Sequence, residues 1–196
     1  MKPVVSISGN IGCGKSTVLN HFRTQCYDTR FIEEPVDEWK PYLDAFYANP
    51  AKYALPLQLE ILKSYNRILQ ESDEKACPIV VERSPFESLN VFAKVLHADK
   101  ELSEDEYTIL LNEPVWKPNY VVYLRSSPET CFERVGRRNR STEKSGISLD
   151  YLRKIHEAYD TLYANAPVAS VFVVDAEANE TEIQHEVKAI LDKIIC

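Results

Sequence analysis

The sequence lacks the patterns that mark several classes of protein. Its 5 cysteines are odd in number and never stand two residues apart, so neither a disulfide framework nor a zinc knuckle is indicated. No apolar run approaches the length of a membrane span, and the first residues leave no room for a charged leader followed by an apolar stretch. An excess of basic charge is also missing, since the formal net charge is -7. We therefore expect a cytoplasmic protein that binds a small ligand, not a membrane or a nucleic-acid polymer.

The length and composition are typical of one folded domain. A chain of 196 residues can bury one sizeable core and is too short for two ordinary domains. The 44% of hydrophobic and 27% of charged residues are ordinary for a folded protein. We predict a single domain over residues 1–196.

Short runs of apolar and β-branched residues alternate with longer helical patterns along the chain. The predicted buried strands are 4–8, 30–32, 79–81, 120–124 and 171–174. Helix starts are indicated at Ser103, Ser127 and Asn179, because the residues that follow each of them are typical of the first turn of a capped helix. Strands separated by helices predict an α/β fold with a five-stranded parallel sheet flanked by helices.

A long amphipathic helix is predicted between the second and third strands. Large apolar residues recur there at steps of three and four, namely Leu55, Leu59, Leu62, Tyr65 and Leu69. This spacing places them on one helix face, so we expect most of them in the core.

The first predicted strand leads directly into a phosphate-binding loop. The run GNIGCGKST fits the pattern G-x-x-x-x-G-K-[ST] between a strand and a helix. Glycines allow the backbone N–H groups to surround phosphate oxygens, and the following helix adds its positive end. Lys15 would neutralise the β and γ phosphates, while the Ser16 hydroxyl would bind Mg²⁺. The residues predicted to bind ATP are Gly9, Asn10, Ile11, Gly12, Cys13, Gly14, Lys15, Ser16 and Thr17.

The loop predicts a user of nucleoside triphosphates without naming the reaction. A regulatory GTPase would also need a D-x-x-G switch element and an N-K-x-D guanine reader, and neither occurs in the sequence. A small-molecule kinase and a nucleotide-dependent regulator remain.

Four carboxylates and one tryptophan follow the second strand in EEPVDEW, residues 33–39. A kinase acting on a neutral hydroxyl needs a base near the attacking oxygen. Glu34 stands at the carboxyl end of its strand, where the ligand crevice of an open α/β sheet lies. A solvated acidic loop is the alternative, and the strand-end position together with Trp39 favours the base.

The third strand ends in a similar way, with Glu82-Arg83-Ser84. Glu82 could hold Mg²⁺ and Arg83 could contact the reactive end of the acceptor or a phosphate. An internal Glu–Arg pair that stabilises the strand end explains the same spacing equally well.

In this order and spacing the motifs resemble the deoxynucleoside kinase family of the non-zinc type, which includes thymidine, deoxycytidine and deoxyguanosine kinases. The resemblance runs over nearly the whole chain through GNIGCGKST, EEPVDEW, YANPAKYALPLQ, ERSPFES, RSSPETCFERVGRRNRSTE and VFVVDAE. It implies a P-loop kinase fold with an Arg-rich lid at about 137–146, a homodimer, and a compact form similar to viral or bacterial members.

The resemblance also implies roles for individual residues. Glu34 would accept the proton of the 5′-hydroxyl, Arg83 would lie close to that hydroxyl, and Glu82 would help to place Mg²⁺. Arg138 and Arg140, with Arg134 one turn earlier, match the basic lid. Arg134 and Arg138 would contact ATP, and Arg138 and Arg140 would act in catalysis with Lys15.

The resemblance implies further residues around the nucleoside. Trp39 would flank the base, Phe92 would stack on it, and Gln58 would pair with its Watson–Crick edge. Ile61 and Tyr65 share the helix face of Gln58, and Ser88 matches a position that lines the base edge. Tyr47 and Glu143 match the positions that hold the sugar 3′-hydroxyl.

The base preference follows from Tyr65 and Ser88. They stand where relatives that act on deoxycytidine or deoxyguanosine have an Arg and an Asp. Without that charged pair the pocket loses a reason to prefer an exocyclic amine, and a Tyr narrows the space for a purine. We therefore predict a pyrimidine-preferring enzyme of nucleotide salvage, with thymidine as the expected substrate.

Two other functions share part of these features. A thymidylate kinase would need a cation for the 5′-phosphate of its substrate, and the charge of Glu34 opposes such an acceptor. A regulator without transfer chemistry would not need Glu34, Gln58 and the lid arginines together.

Overall fold

A central parallel sheet carries the fold in the computed structural model, which describes residues 3–24, 28–72, 77–138, 146–164 and 170–195. Its strands run in the order β2-β3-β1-β4-β5. The strands are β1 (Val4–Ser8), β2 (Arg30–Ile32), β3 (Ile79–Glu82), β4 (Tyr120–Arg125) and β5 (Val171–Asp175). The predicted five-stranded parallel sheet is confirmed, and the last three strands each run one residue further than predicted, into a polar side chain that still joins the ladder.

The strand order explains where a ligand can bind. β1 lies in the middle, pairing with β3 through Val5 and Val80 and with β4 through Val5 and Tyr120. From β1 the chain goes to β2 at one edge of the sheet and returns to β3, which lies next to β1. From β3 it crosses to β4, on the opposite flank of β1. Such a reversal opens a crevice at the carboxyl ends of the strands. The phosphate loop, the acidic stretch and Arg83 follow β1, β2 and β3, so all three face this crevice.

Helices cover the sheet. In chain order they are α1 (Lys15–Arg23), α2 (Val36–Ala48), α3 (Pro50–Ser72), α4 (Pro85–Glu87), a π-helical segment (Ser88–Ala93), α5 (Lys94–Ala98), α6 (Glu104–Leu111), α7 (Pro128–Arg138), α8 (Leu149–Ala164) and α9 (Glu180–Ile195). The predicted helix starts are confirmed: Ser103 forms a capping box with Glu106, and Ser127 and Asn179 each accept a backbone N–H of the first turn.

The predicted amphipathic helix is α3. Leu62 and Tyr65 are buried, and Leu55 and Leu59 are partly buried against the same apolar cluster. This cluster joins α3 to α2, α5 and α6. α3 is therefore held along its length, and its inner face is fixed beside the crevice.

Three of the 5 cysteines lie in the described ranges. Cys13 and Cys131 are buried free thiols, and Cys77 is a half-buried one. Within the described ranges, no helix combines the length and apolar character that crossing a bilayer requires.

Candidate active site

Close packing explains the glycines of the phosphate loop. Gly9 has a φ of 137°, and a Cβ atom there would lie 2.5 Å from the carbonyl oxygen of Leu124. Gly12 has a φ of 86°, and its Cβ would lie 2.5 Å from the carbonyl oxygen of Cys131. A side chain at either position would displace backbone of β4 or α7. The loop is therefore pressed against both elements and holds its shape.

Lys15 is buried in this loop and is held by it. Its Nζ atom donates to the carbonyl oxygen of Asn10 at 2.7 Å, and only 3% of the residue is exposed. The Asn10 side chain in turn donates to the carbonyl oxygen of Leu152 and accepts the N–H of Ile11. The loop thus keeps a cation and N–H groups in place for an anionic ligand.

Glu34 and Arg83 form an ion pair at the crevice. Arg83 Nη1 donates to Glu34 Oε2 at 2.7 Å, and their side chains are only 6% and 14% exposed. The hydroxyl of Tyr65 lies 3.1 Å from Glu34 Oε1 and 3.0 Å from the carbonyl oxygen of Glu82. Both carboxylate oxygens of Glu34 therefore have a donor, which fixes the plane of the carboxylate.

The guanidinium of Arg83 is fixed as firmly as its partner. Its Nε donates to the Tyr159 hydroxyl at 3.1 Å, and its Cζ lies 5.1 Å from the centre of the Phe92 ring. Arg83 also has a φ of 56°, a left-handed conformation that costs energy for a residue with a side chain. This turn at the end of β3 directs the side chain towards Glu34.

Glu82 and Ser16 lie between the phosphate loop and this ion pair. The Ser16 hydroxyl donates to Glu82 Oε1 at 3.2 Å. Burial, and next to it the charge of Glu34, raises the pKa of Glu82, while Lys15 and Arg83 oppose the rise. A hydroxyl and one carboxylate are oxygen ligands of the kind that Mg²⁺ takes together with phosphate oxygens and water. The two residues therefore fit the predicted magnesium site, and no group of three or more His, Cys, Asp or Glu that could hold a metal occurs in the described ranges.

A cleft of about 530 Å³ opens beside the ion pair and the phosphate loop. Its volume is that of a small-molecule pocket, which spans roughly 300–1,000 Å³. The structure brings most of the predicted substrate residues to its walls, namely Glu34, Trp39, Tyr47, Gln58, Ile61, Arg83, Ser88 and Phe92.

Gln58 presents an unsatisfied polar atom to this cleft. The residue is 3% exposed, and its Oε1 atom has no hydrogen-bond partner in the part of the chain that the structure describes. Buried amide oxygens are nearly always hydrogen-bonded, so the atom is available to a ligand N–H. Trp39 stands on the neighbouring wall, held by a 2.9 Å hydrogen bond from its Nε1 to Ser64 Oγ.

Tyr65 occupies a different place from the one predicted. It is 1% exposed and does not line the cleft, because its ring packs between Trp39 and Trp116 and its hydroxyl reaches Glu34. Ser88 alone of the two predicted specificity residues faces the cleft.

The predicted lid is described only at its beginning. Arg134 Nη1 donates to the carbonyl oxygens of Cys13 and Ala176, so it lies against the phosphate loop. With Arg137 it lines a second cleft of about 320 Å³ on the other side of that loop. Arg140, Glu143 and the side chain of Arg138 lie outside the described residues.

Two tyrosines that contribute to this site were not predicted from the sequence. Tyr159 fixes Arg83, and Tyr151 lines the cleft. Both lie on α8, where the 3.6-residue periodicity of Leu152, Ile155 and Tyr159 indicates burial without indicating a site. No motif in the sequence marks either tyrosine.

Gly146 provides a prediction for the substrate cleft. A Cβ atom at this position would lie 2.1 Å from Cδ1 of Tyr47. Gly146→Ala should therefore push the Tyr47 ring from its position in the cleft wall and raise KM for the molecule bound in the cleft about tenfold, the effect of losing one substrate contact of about 1.4 kcal/mol. Steady-state kinetics measure this change, and Gly136→Ala is the matched control because nothing lies within 4 Å of a Cβ there. An unchanged KM would show that Tyr47 does not contact the bound molecule.

A parallel sheet with a phosphate loop, a buried lysine and a carboxylate at the acceptor end defines an α/β P-loop phosphotransferase. The family model for deoxynucleoside kinases matches residues 5–195. The chain therefore belongs to the deoxynucleoside kinase family, whose members are ATP-dependent phosphotransferases, and the resemblance predicted from the sequence is confirmed.

Individual relatives agree with this assignment. The chain is 34% identical over 206 residues to the thymidine kinase of Ictalurid herpesvirus 1 (strain Auburn), an alignment that covers 96% of this chain and 85% of the relative. It is 30% identical over 207 residues to the mitochondrial thymidine kinase 2 of Macaca fascicularis, covering 97% and 74%. A solved structure of deoxyadenosine kinase from M. mycoides matches with a TM-score of 0.86 and 26% identity, covering 97% of this chain and all of that one.

Proposed function

We propose that this kinase transfers the γ-phosphate of ATP to the 5′-hydroxyl of a pyrimidine deoxyribonucleoside, with thymidine preferred, in nucleotide salvage. The observation that carries the proposal is the buried Glu34–Arg83 pair beside the phosphate loop. This pair lines the same cleft as Lys15 and Ser16 of the loop, which supports a carboxylate base next to the phosphates of a bound donor.

The chemistry divides between these residues. Glu34 accepts the proton of the 5′-hydroxyl as its oxygen bonds to phosphorus, and Arg83 holds the carboxylate in place for that step. Lys15 and the N–H groups of the loop hold the phosphate oxygens where negative charge develops. Arg134 lies against the phosphate loop, with its Nη1 bonded to the Cys13 carbonyl oxygen, and would contact ATP from there. Ser16 and Glu82 would hold a Mg²⁺ ion, which would supply positive charge beside the phosphates.

The residues at the base end of the cleft support thymine as the base. The unpaired Oε1 of Gln58 can accept the N3–H of thymine, and a ring at Phe92 can stack on the base. Ser88 brings no charge to this end. Relatives are named for thymidine and for deoxyadenosine, so the preference for thymidine rests on the residues of the cleft.

Three further predictions belong to this proposal. The lid that the resemblance implies at about 137–146 lies mostly outside the described residues and remains a prediction, as do the homodimer and the location in the cytoplasm. Sedimentation of the purified protein measures the second of these, and fluorescence microscopy of the tagged chain measures the third.

Substrate assays test the proposed function. Purified protein with ATP and Mg²⁺ is offered each of the four deoxynucleosides and thymidine monophosphate, and product is followed by chromatography. We expect thymidine to give the highest kcat/KM and thymidine monophosphate to give no product, because its phosphate would meet the charge of Glu34. Phosphorylation of the monophosphate alone would contradict the nucleoside assignment, and a preference for deoxyguanosine would contradict the base assignment.

A further inference from the structure

Tyr65 has contacts that the base-binding role does not explain. Its hydroxyl lies between an oxygen of Glu34, which follows β2, and the carbonyl oxygen of Glu82 at the end of β3. A phenol has one proton, and an ionised carboxylate is a stronger acceptor than a carbonyl. The proton is therefore directed at Glu34 whenever that carboxylate carries its charge.

The surroundings of Tyr65 keep its hydroxyl protonated and hold its ring in place. Burial, and next to it the charge of Glu34, raises the pKa of Tyr65 well above its usual value. Its ring lies 5.8 Å from that of Trp39 and 6.3 Å from that of Trp116, and Trp116 Nε1 donates to the Tyr65 carbonyl oxygen at 3.3 Å. The hydroxyl thus stands at a fixed point beside the carboxylate.

We propose that Tyr65 is a positioning residue for catalysis, which holds the Glu34 carboxylate in the orientation that accepts the hydroxyl proton. Arg83 binds Oε2 and Tyr65 binds Oε1, so two donors from different elements fix the carboxylate plane. This inference rests on the proposed role of Glu34 as the base.

The helix that carries Tyr65 gives the arrangement a second consequence. Gln58 and Tyr65 are seven residues apart on α3, which places them on one face about two turns from each other. One rigid element therefore sets both the group that meets the base and the group that orients the carboxylate. Seating of the base and alignment of the 5′-hydroxyl with Glu34 are fixed relative to one another.

A double-mutant cycle tests the inference on the full chain with thymidine, ATP and Mg²⁺. Tyr65→Phe keeps the ring and removes the hydroxyl. We expect kcat to fall about tenfold, as for a lost hydrogen bond to a charged group, while KM for thymidine changes by less than about twofold. In the Glu34→Gln background the same change should lower kcat by less than about twofold, because residues that act as a unit are not additive.

Tyr163→Phe is the matched control. Its hydroxyl is also bonded to a carboxylate, that of Glu87, but outside the site, and we expect its kcat to stay within about twofold of the wild type. Thermal unfolding accompanies each variant, and Tyr65→Met, which also lacks the donor, replaces Tyr65→Phe if that variant is unfolded.

Each remaining outcome contradicts the inference. Equal losses of kcat in both backgrounds would make Tyr65 merely structural, and a change in KM alone would return it to the base pocket. Normal turnover of Glu34→Gln would remove Glu34 from its role and the inference with it, whereas a slow Glu34→Gln beside a normal Tyr65→Phe would overturn the inference alone. Absence of phosphorylation of all four deoxynucleosides by the wild type would overturn the proposed function and, with it, this inference.

Discussion

Glu34→Gln should lower kcat by roughly a hundredfold or more, the range expected for the loss of a general base, while thymidine still binds. The amide cannot take the proton of the 5′-hydroxyl. Its oxygen can accept from only one of the two directions now served, so its NH₂ group faces the donor of Arg83 or of Tyr65. Steady-state kinetics give kcat, and equilibrium titration with thymidine gives the affinity.

Glu33→Gln is the control for this variant. Glu33 is the neighbouring carboxylate in the same acidic stretch and pairs with Arg23 at 3.0 Å on the surface. Removing it changes the net charge by the same amount without touching Arg83, so kcat should stay within about twofold. Near-normal turnover in Glu34→Gln would remove the residue from catalysis, and equal losses in both variants would assign the effect to the general field of the stretch.

The acidic stretch, residues 33–39, shows how much of the surroundings of a side chain could be predicted from the sequence. Glu33 and Glu38 pair with Arg23 and Arg67, and Asp37 is exposed, so the alternative of a solvated acidic loop describes these three acids. Glu34 differs because it lies two residues beyond the end of β2, at the crevice, and because Arg83, distant in sequence, is close enough to pair with it. Chain position indicated which acid faces the crevice, but its partners depend on packing.

The sheet was predictable because its strands are short runs rich in Val, Ile and aromatic residues. Such runs occur in parallel sheets covered by helices, and their ends were predicted to within one residue. The predicted capping residues hold too, because a cap is a local contact over three residues. Local signals of this kind suffice for the elements and for the phosphate loop.

Tyr65 shows what the sequence could not provide. Its position on the helix face was predicted correctly. Spacing along a helix, however, does not show how far a side chain extends or which groups its end contacts. The hydroxyl meets Glu34 across 31 positions and the Glu82 carbonyl across 17. Contacts of this kind depend on how α3 packs against β3. The same holds for Tyr159, which meets Arg83 across 76 positions.

Lys15→Met should lower kcat by roughly 10²–10³-fold, the cost of removing one preorganised charge from a site where charge develops. The variant keeps most of the apolar stem. Lys15 Nζ donates to the Asn10 carbonyl oxygen, and among the residues that the structure describes no carboxylate is hydrogen-bonded to it. Burying a cation without such a partner costs desolvation energy. The melting temperature of the variant should therefore lie within a few degrees of that of the wild type, or above it. Kinetics and thermal unfolding measure the two effects.

Lys40→Met is the matched control, because Lys40 is exposed on α2 and pairs with Asp44 one turn away. It removes the same charge far from the phosphates, so kcat should change by less than about twofold. Parallel losses of activity and stability in Lys15→Met would mean that the loop needs the lysine to keep its shape. Lost turnover with retained stability would mean that the cation is kept for the ligand.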